Sequence, residues 1–149
     1  MMEVLWKDFC IEKNIDLPVP DAWMFGDGTK DMGDYLGSLV LEGKKTGTCS
    51  AYILYNIKHE TLPQIGQYDI ILDGSKNPIA IIRNKHLELI KMDDVTEDFA
   101  KKEGEGDLSY EYWYNEHQKF FTNEFDTYHL KFSTEELLIC EEFEVICHL

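Results

Sequence analysis

Apolar residues recur at helical spacing from the start of the chain. Between Met2 and Asn14, Leu5, Trp6, Phe9 and Cys10 share one side while Glu3, Lys7, Asp8, Glu12 and Lys13 lie elsewhere, which predicts an amphipathic helix. Leu17-Pro18-Val19-Pro20 ends it, because proline cannot continue a helix and restrains the residue before it. A second helix is predicted over Thr29–Leu41, with Met32, Tyr35, Leu36, Leu39 and Val40 as its stripe and Gly43 as a left-handed stop.

The pattern then changes period. Thr48–Leu54 is small and β-compatible, and Leu62–Gly66 reads as a loop. Tyr68–Leu72 and Ile79–Arg83 form a predicted hairpin across Asp73–Pro78, the second strand bending and resuming over Lys85–Met92. Asp93–Lys102 reads as a short helix closed by Gly104. Ser109 caps a strong helix whose Tyr112, Trp113, Glu116, His117, Phe120 and Phe121 share a face. Tyr128–Phe132 and Leu137–Ile146 are predicted closing strands, the latter half-exposed because Phe143 and Val145 alternate with Glu142 and Glu144. Helices and antiparallel strands are thus mixed in an α+β fold, a small curved sheet or barrel with helices on its rim.

Composition narrows the function classes. The chain has 149 residues, 44% hydrophobic and 13% aromatic, enough for one globular domain with a sizeable core. No apolar run is long enough to cross a bilayer, and the N-terminus lacks the layout of a signal peptide, so a soluble cytoplasmic protein is expected. Fourteen basic residues against 29 acidic give a net charge of −15, which opposes a surface built to grip a long duplex but leaves room for a local nucleotide cleft. Cys10, Cys49, Cys140 and Cys147 form no CxxC pair and the five histidines no HxxxH. Reduced, mostly buried cysteines are expected, with no metal site and no cofactor.

The candidate chemistry starts at Gly43-Lys44-Lys45-Thr46-Gly47-Thr48, where a helix gives way to a strand and an amine stands three residues from a hydroxyl. A lysine within reach of a threonine can activate it as a nucleophile; equally, basic residues gather at helix ends to meet unpaired carbonyls. Glu103 sits at the end of a helix before Gly104-Glu105-Gly106, either as a surface turn or as a carboxylate aimed at Lys45. Trp113 and His117 stand at i and i+4 on an aromatic helix face, which is core unless it borders a site. Trp23-Met24-Phe25-Gly26-Asp27-Gly28 puts aromatics on a glycine-rich loop, either to stack on a planar ring or to dock the loop.

Gly43-x-Lys45-x-x-Thr48 entered from the helix Tyr35–Glu42 resembles the signature of the ASCH domain superfamily. So do the Trp23–Gly28 loop, the Lys44–Ser50 block, Pro63-x-x-Gly66, Glu103–Asp107, Trp113, His117 and Phe120-Phe121. The order is similar to that of a longer bacterial branch formerly grouped as a domain of unknown function. The resemblance covers most of the chain and implies a single domain over 1–149, with a helical extension over about 1–30. It also implies a PUA-like mixed and antiparallel β-barrel with peripheral helices, and a cleft beside the barrel with Lys45 and Thr48 on its floor.

PUA-like folds are linked to RNA recognition. A shorter branch of the superfamily contains amidohydrolases that deacylate acetylcytidine with a motif lysine, a motif threonine and a glutamate after a helix. Lys45 and Thr48 match the first two directly, and Glu103 matches the third by position. The resemblance therefore implies a nucleoside or nucleotide ligand and an amidohydrolase with Thr48 as nucleophile, Lys45 as base and Glu103 as orienter. Trp23, Phe25, Trp113 and His117 are the expected substrate-binding aromatics, with Lys44, Thr46, Ser50 and Arg83 as polar contacts. The alternative uses the same cleft for short single-stranded RNA, as a binding module or a metal-independent ribonuclease. Oligomeric state is left open, and no membrane partner is expected.

Overall fold

The computed structural model describes residues 2–149. In chain order it contains α1 (Met2–Lys13), β1 (Ala22–Trp23), α2 (Lys30–Leu41), β2 (Gly47–Ala51), α3 (Tyr52–Ile57), β3 (Tyr68–Leu72) and β4 (Pro78–Lys91). A 3-10 turn over Met92–Asp94 leads into α4 (Glu97–Glu103), α5 (Tyr110–Thr127) and β5 (Leu137–His148). The five strands form one mixed sheet in the order β1-β3-β4-β5-β2, with β1 parallel to β3 and the other pairings antiparallel. Its edge strands β1 and β2 do not pair with each other among the described residues, so the sheet is open. The architecture is α+β.

Local sequence explains most of these elements. Thr29, Thr96 and Ser109 cap α2, α4 and α5, each side chain accepting a backbone N–H three residues on. Gly43 turns the chain out of α2 with φ +75°. Trp6, Phe9 and Cys10 of α1 pack on Ile70, Leu72 and Ile81. The buried side of α2 packs with Phe25, Ile71, Ile82 and Phe143, and a third cluster joins α4 and α5 to Leu138 and Cys140 of β5. Tyr35 leaves its predicted stripe: it is 44% exposed, and its hydroxyl accepts the Gly106 N–H at 3.0 Å.

Three other sequence expectations change. The extended segment ends at Ala51, and Tyr52–Ile57 coils into α3, which carries Leu54 into the apolar cluster while Tyr52 and Ile53 remain exposed. The Ile79–Arg83 and Lys85–Met92 strands are one strand, β4, with register shifts at Ile81/Ile82 and Asn84/His86, the usual way a long strand bends without ending. Tyr128–Phe132 forms no strand; Phe132 instead folds back on α5, with its ring 5.4 Å from Phe121 and 5.0 Å from Phe125. Its burial is met by helix packing, so no sheet partner is needed.

Candidate active site

A cleft of about 720 Å³ opens between the Phe25 loop and α2 on one side and α5 on the other, with Lys45, Thr48, Cys49 and Glu103 in its wall. Its centre is Lys45, just before the edge strand β2. The side chain is only 2% exposed, and its Nζ donates to Glu103 Oε1 at 3.2 Å, to the Glu103 carbonyl at 3.4 Å and to Glu105 Oε2 at 3.0 Å. The ammonium also stands 5.2 Å from the centre of the Phe25 ring, a cation–π contact.

Glu103 holds the cluster together. Its Oε2 accepts the indole N–H of Trp113, His117 Nε2 at 3.0 Å and the Cys49 thiol at 3.3 Å. His117 Nδ1 lies 2.7 Å from the Trp113 carbonyl, and the His117 and Trp113 rings stack with centroids 4.5 Å apart. These positions follow from local structure: Trp113 and His117 are one turn apart on α5, and Glu103 ends α4 directly opposite.

Burial and charge set the protonation states. Burial pulls the Lys45 amine down, but Glu103 and Glu105 outweigh it and leave the ammonium above the ordinary lysine value. Burial pushes Glu103 up, yet the His117 and Lys45 charges, with hydrogen bonds from His117 and Trp113, hold it well below the carboxylate range. Burial lowers His117, and the Glu103 carboxylate more than restores it, so the imidazolium is favoured. Burial and Glu103 push the Cys49 thiol far up. The result is a buried network of alternating charge in which Lys45 is a proton donor. Thr48 is not among its hydrogen-bond partners.

Cys49, Glu103 and His117 also bring ligand atoms within 4.8 Å of one another. Glu103 Oε2 is already filled by three donors, the thiol is held protonated and Lys45 adds positive charge beside it. These features describe a satisfied hydrogen-bond network, and metal binding would have to dismantle it.

The remaining expected binding residues divide. Phe25 and His117 line the cleft, and Trp113 supports its floor from beneath. Trp23 braces Phe25 edge-on at 4.6 Å. Lys44 points to solvent and pairs with Glu42 at 2.9 Å, because its neighbour Lys45 takes the inward direction. Thr46 ties two elements together: its N–H donates to Lys102 O at 2.7 Å and its carbonyl accepts the Phe143 N–H. Ser50 hydrogen-bonds the Tyr55 hydroxyl at 2.7 Å beside a separate small hollow. Arg83 lies over the Tyr68 ring and donates to Gly66 O. Lys44, Thr46, Ser50 and Arg83 therefore lie outside the cleft lining.

Sequence reasoning did not single out Cys49, Glu105, Tyr112 or the polar residues of α5 that also line the cleft, such as Lys119 and Asn123. Glu105 had a visible signal in its two flanking glycines. Gly104 adopts φ +72°, and a Cβ there would lie 2.2 Å from the Lys44 carbonyl oxygen, so only glycine lets the end of α4 meet the Lys44–Lys45 backbone. Gly104→Ala is expected to cost at least about 1–3 kcal/mol from the backbone conformation alone and to displace both glutamates from Lys45. Denaturant unfolding measures the first effect, and loss of cleft ligand binding the second.

Comparison with known proteins agrees with this architecture. A search of the curated proteins finds no match. A protein of Enterococcus faecalis V583 assigned to the DUF984 family matches 99% of this chain and 88% of its own, with 47% identity and a TM-score of 0.92. The ASCH domain from Lactobacillus crispatus JV V101 matches 99% and 94% of the two chains, with 25% identity and a TM-score of 0.87. An ASCH protein from Zymomonas mobilis shares the fold alone, at 12% identity and a TM-score of 0.50 over 87% of this chain and 73% of that one. The ASCH domain model matches residues 21–147, and the chain belongs to the ASCH domain family, which is associated with RNA binding and hydrolase-like activity.

Proposed function

We propose that the cleft binds an uncharged nucleoside carrying an acyl group on its base and hydrolyses that amide, with Thr48 as nucleophile. The observation that carries this reading is the Lys45 ammonium, buried and held by two carboxylates, in the wall of a cleft that Thr48 also lines. A preorganised positive charge in a water-poor wall stabilises an oxyanion more than the same charge would in solvent. Lys45 then has a role suited to its protonated state: it faces the negative charge that develops on the acyl oxygen. Glu103 and Glu105 fix its position, and His117 and Trp113 fix Glu103.

The cleft volume suits a ligand of nucleoside size. Phe25 offers an aromatic face, and His117 a second planar group across the opening. The lining carries five carboxylates, including Glu116 and Glu124, against three lysines. That balance favours an uncharged ligand over a chain of phosphates.

The test is release of acetate from acetylcytidine by the purified protein, followed by chromatography of the nucleoside product. Thr48→Val keeps the β-branched shape and removes the hydroxyl; its kcat is expected to fall about 10⁴-fold or more while nucleoside binding persists. An inert protein across a panel of acylated nucleosides, with salt-sensitive binding of short single-stranded RNA in the same cleft, would assign the site to RNA instead.

A further inference from the structure

A nucleophilic threonine needs a proton acceptor, and Lys45, already an ammonium, cannot serve as one. We propose that Glu141 takes the proton from Thr48 in the hydrolysis proposed above, on which this inference rests. Thr48 of β2 and Glu141 of β5 stand directly opposite each other in an antiparallel ladder. Residues so paired project from the same face with Cβ atoms about 4.5–5.5 Å apart, within the span of a glutamate side chain. Thr48 lines the cleft, whereas Glu141, 6% exposed, is not part of its lining.

The surroundings of Glu141 are those of a group that exchanges a proton. No lysine or arginine pairs with it among the described residues; the groups that bear on it are Asp69 from β3 and Asn84 from β4. From α3, Tyr55 senses its charge, and the Tyr55 hydroxyl is engaged by Ser50. Cys140, next along β5, is held as a thiol, with Glu141 among the groups that push it up.

Asn84 of β4 is a second buried polar group that bears on Glu141. It is 2% exposed, its Nδ2 donates to the Gln64 carbonyl at 3.4 Å, and among the described residues its Oδ1 has no partner. A buried carbonyl without a donor is costly. A protonated Glu141 nearby has an O–H to offer that carbonyl, which a carboxylate lacks. Burial and the Asp69 charge push the Glu141 carboxyl up to about 7, close to where a general base is most effective at neutral pH.

The Glu141 carboxylate takes the Thr48 hydroxyl proton as Oγ1 bonds to the acyl carbon and the carbonyl π pair moves onto oxygen beside Lys45. Collapse of that intermediate breaks the C–N bond, and the departing base amine takes the proton from Glu141. Water then attacks the acyl-threonine, giving one proton to Glu141; the C–Oγ1 bond breaks, and Thr48 recovers that proton as the carboxylic acid leaves.

The experiment is the pH dependence of kcat/KM for acetylcytidine in the wild type, Glu141→Gln and Asp69→Asn. The wild type is expected to rise along a limb near pH 7. Glu141→Gln should lose that limb and fall about 100-fold or more, and Asp69→Asn should move the limb to lower pH by removing a neighbouring negative charge. A Glu141→Gln enzyme that keeps the limb and most of its rate overturns the role of Glu141 and leaves the hydrolase reading intact. A wild type that releases no acetate overturns both. Should Glu141→Gln fail to fold, Asp69→Asn decides: an unmoved limb counts against Glu141.

Discussion

Replacing Lys45 with methionine is expected to lower unfolding stability by about 3–5 kcal/mol, the range for removing one partner of a buried ion pair, and to abolish turnover. Methionine matches the length of the lysine stem, so little of the loss comes from packing. The cost arises because Glu103 and Glu105 converge on Nζ at 3.2 and 3.0 Å and lose their shared counter-charge. Glu105 keeps some access to water, with 13% of its side chain exposed, whereas Glu103 has 2%. Lys45→Met/Glu105→Gln should therefore recover part of the stability, since one unpaired charge disappears, but none of the activity. Urea unfolding of the single and double variants measures the first statement, and acetate release the second. A Lys45→Met protein as stable as the wild type would show that the ion pairs contribute nothing net.

The second large effect is expected at Glu103. Glu103→Gln preserves shape but removes the charge that Lys45 and His117 both face, and it leaves the Trp113 indole and the Cys49 thiol competing for one amide oxygen. A loss of about 3–5 kcal/mol is expected at neutral pH, and the size of the loss should depend on pH. The Glu103 carboxyl is held below its unfolded value, so its contribution is present above the unfolded carboxylate pKa and disappears as pH falls through the depressed folded value. His117 is held above its unfolded value; its contribution is complete below about 6.5 and fades as pH rises through the raised folded value. The gap between wild type and variant should therefore be widest from about pH 5 to 6.5 and close in strong acid. Denaturant titrations across pH test this, and a constant gap would contradict the network.

Several parts of the fold were legible because their causes are local. Ser109 caps α5 through its own side chain, Gly43 stops α2 through its own φ, and the hairpin of β3 and β4 follows from turn residues between two apolar runs. The elements that escaped depend on distant neighbours. Phe132 is apolar in either a strand or a loop, and its contact with Phe121 and Phe125 decides between them. Leu54 could complete a strand, but burial in the cluster under α5 requires the coil of α3.

The same division runs through the site. Lys45, Thr48 and Glu103 stand out in the sequence because a short motif and a helix terminus mark them. Lys44 and Lys45 are chemically identical, and only the fold turns one outward to Glu42 and the other inward to two carboxylates. Glu141 stands beside Glu142 in the sequence with nothing local to mark it, yet strand register buries it opposite Thr48.

The sequence alone settled the α+β class, the Ser109 cap, the Gly43 stop and the family resemblance, because each rests on residues close together in the chain. Tertiary structure decided which charges are buried, which of them meet and which protons they hold. A carboxylate's affinity for its proton is set by water lost and charges gained, and those depend on residues some sixty positions away, as between Lys45 and Glu105.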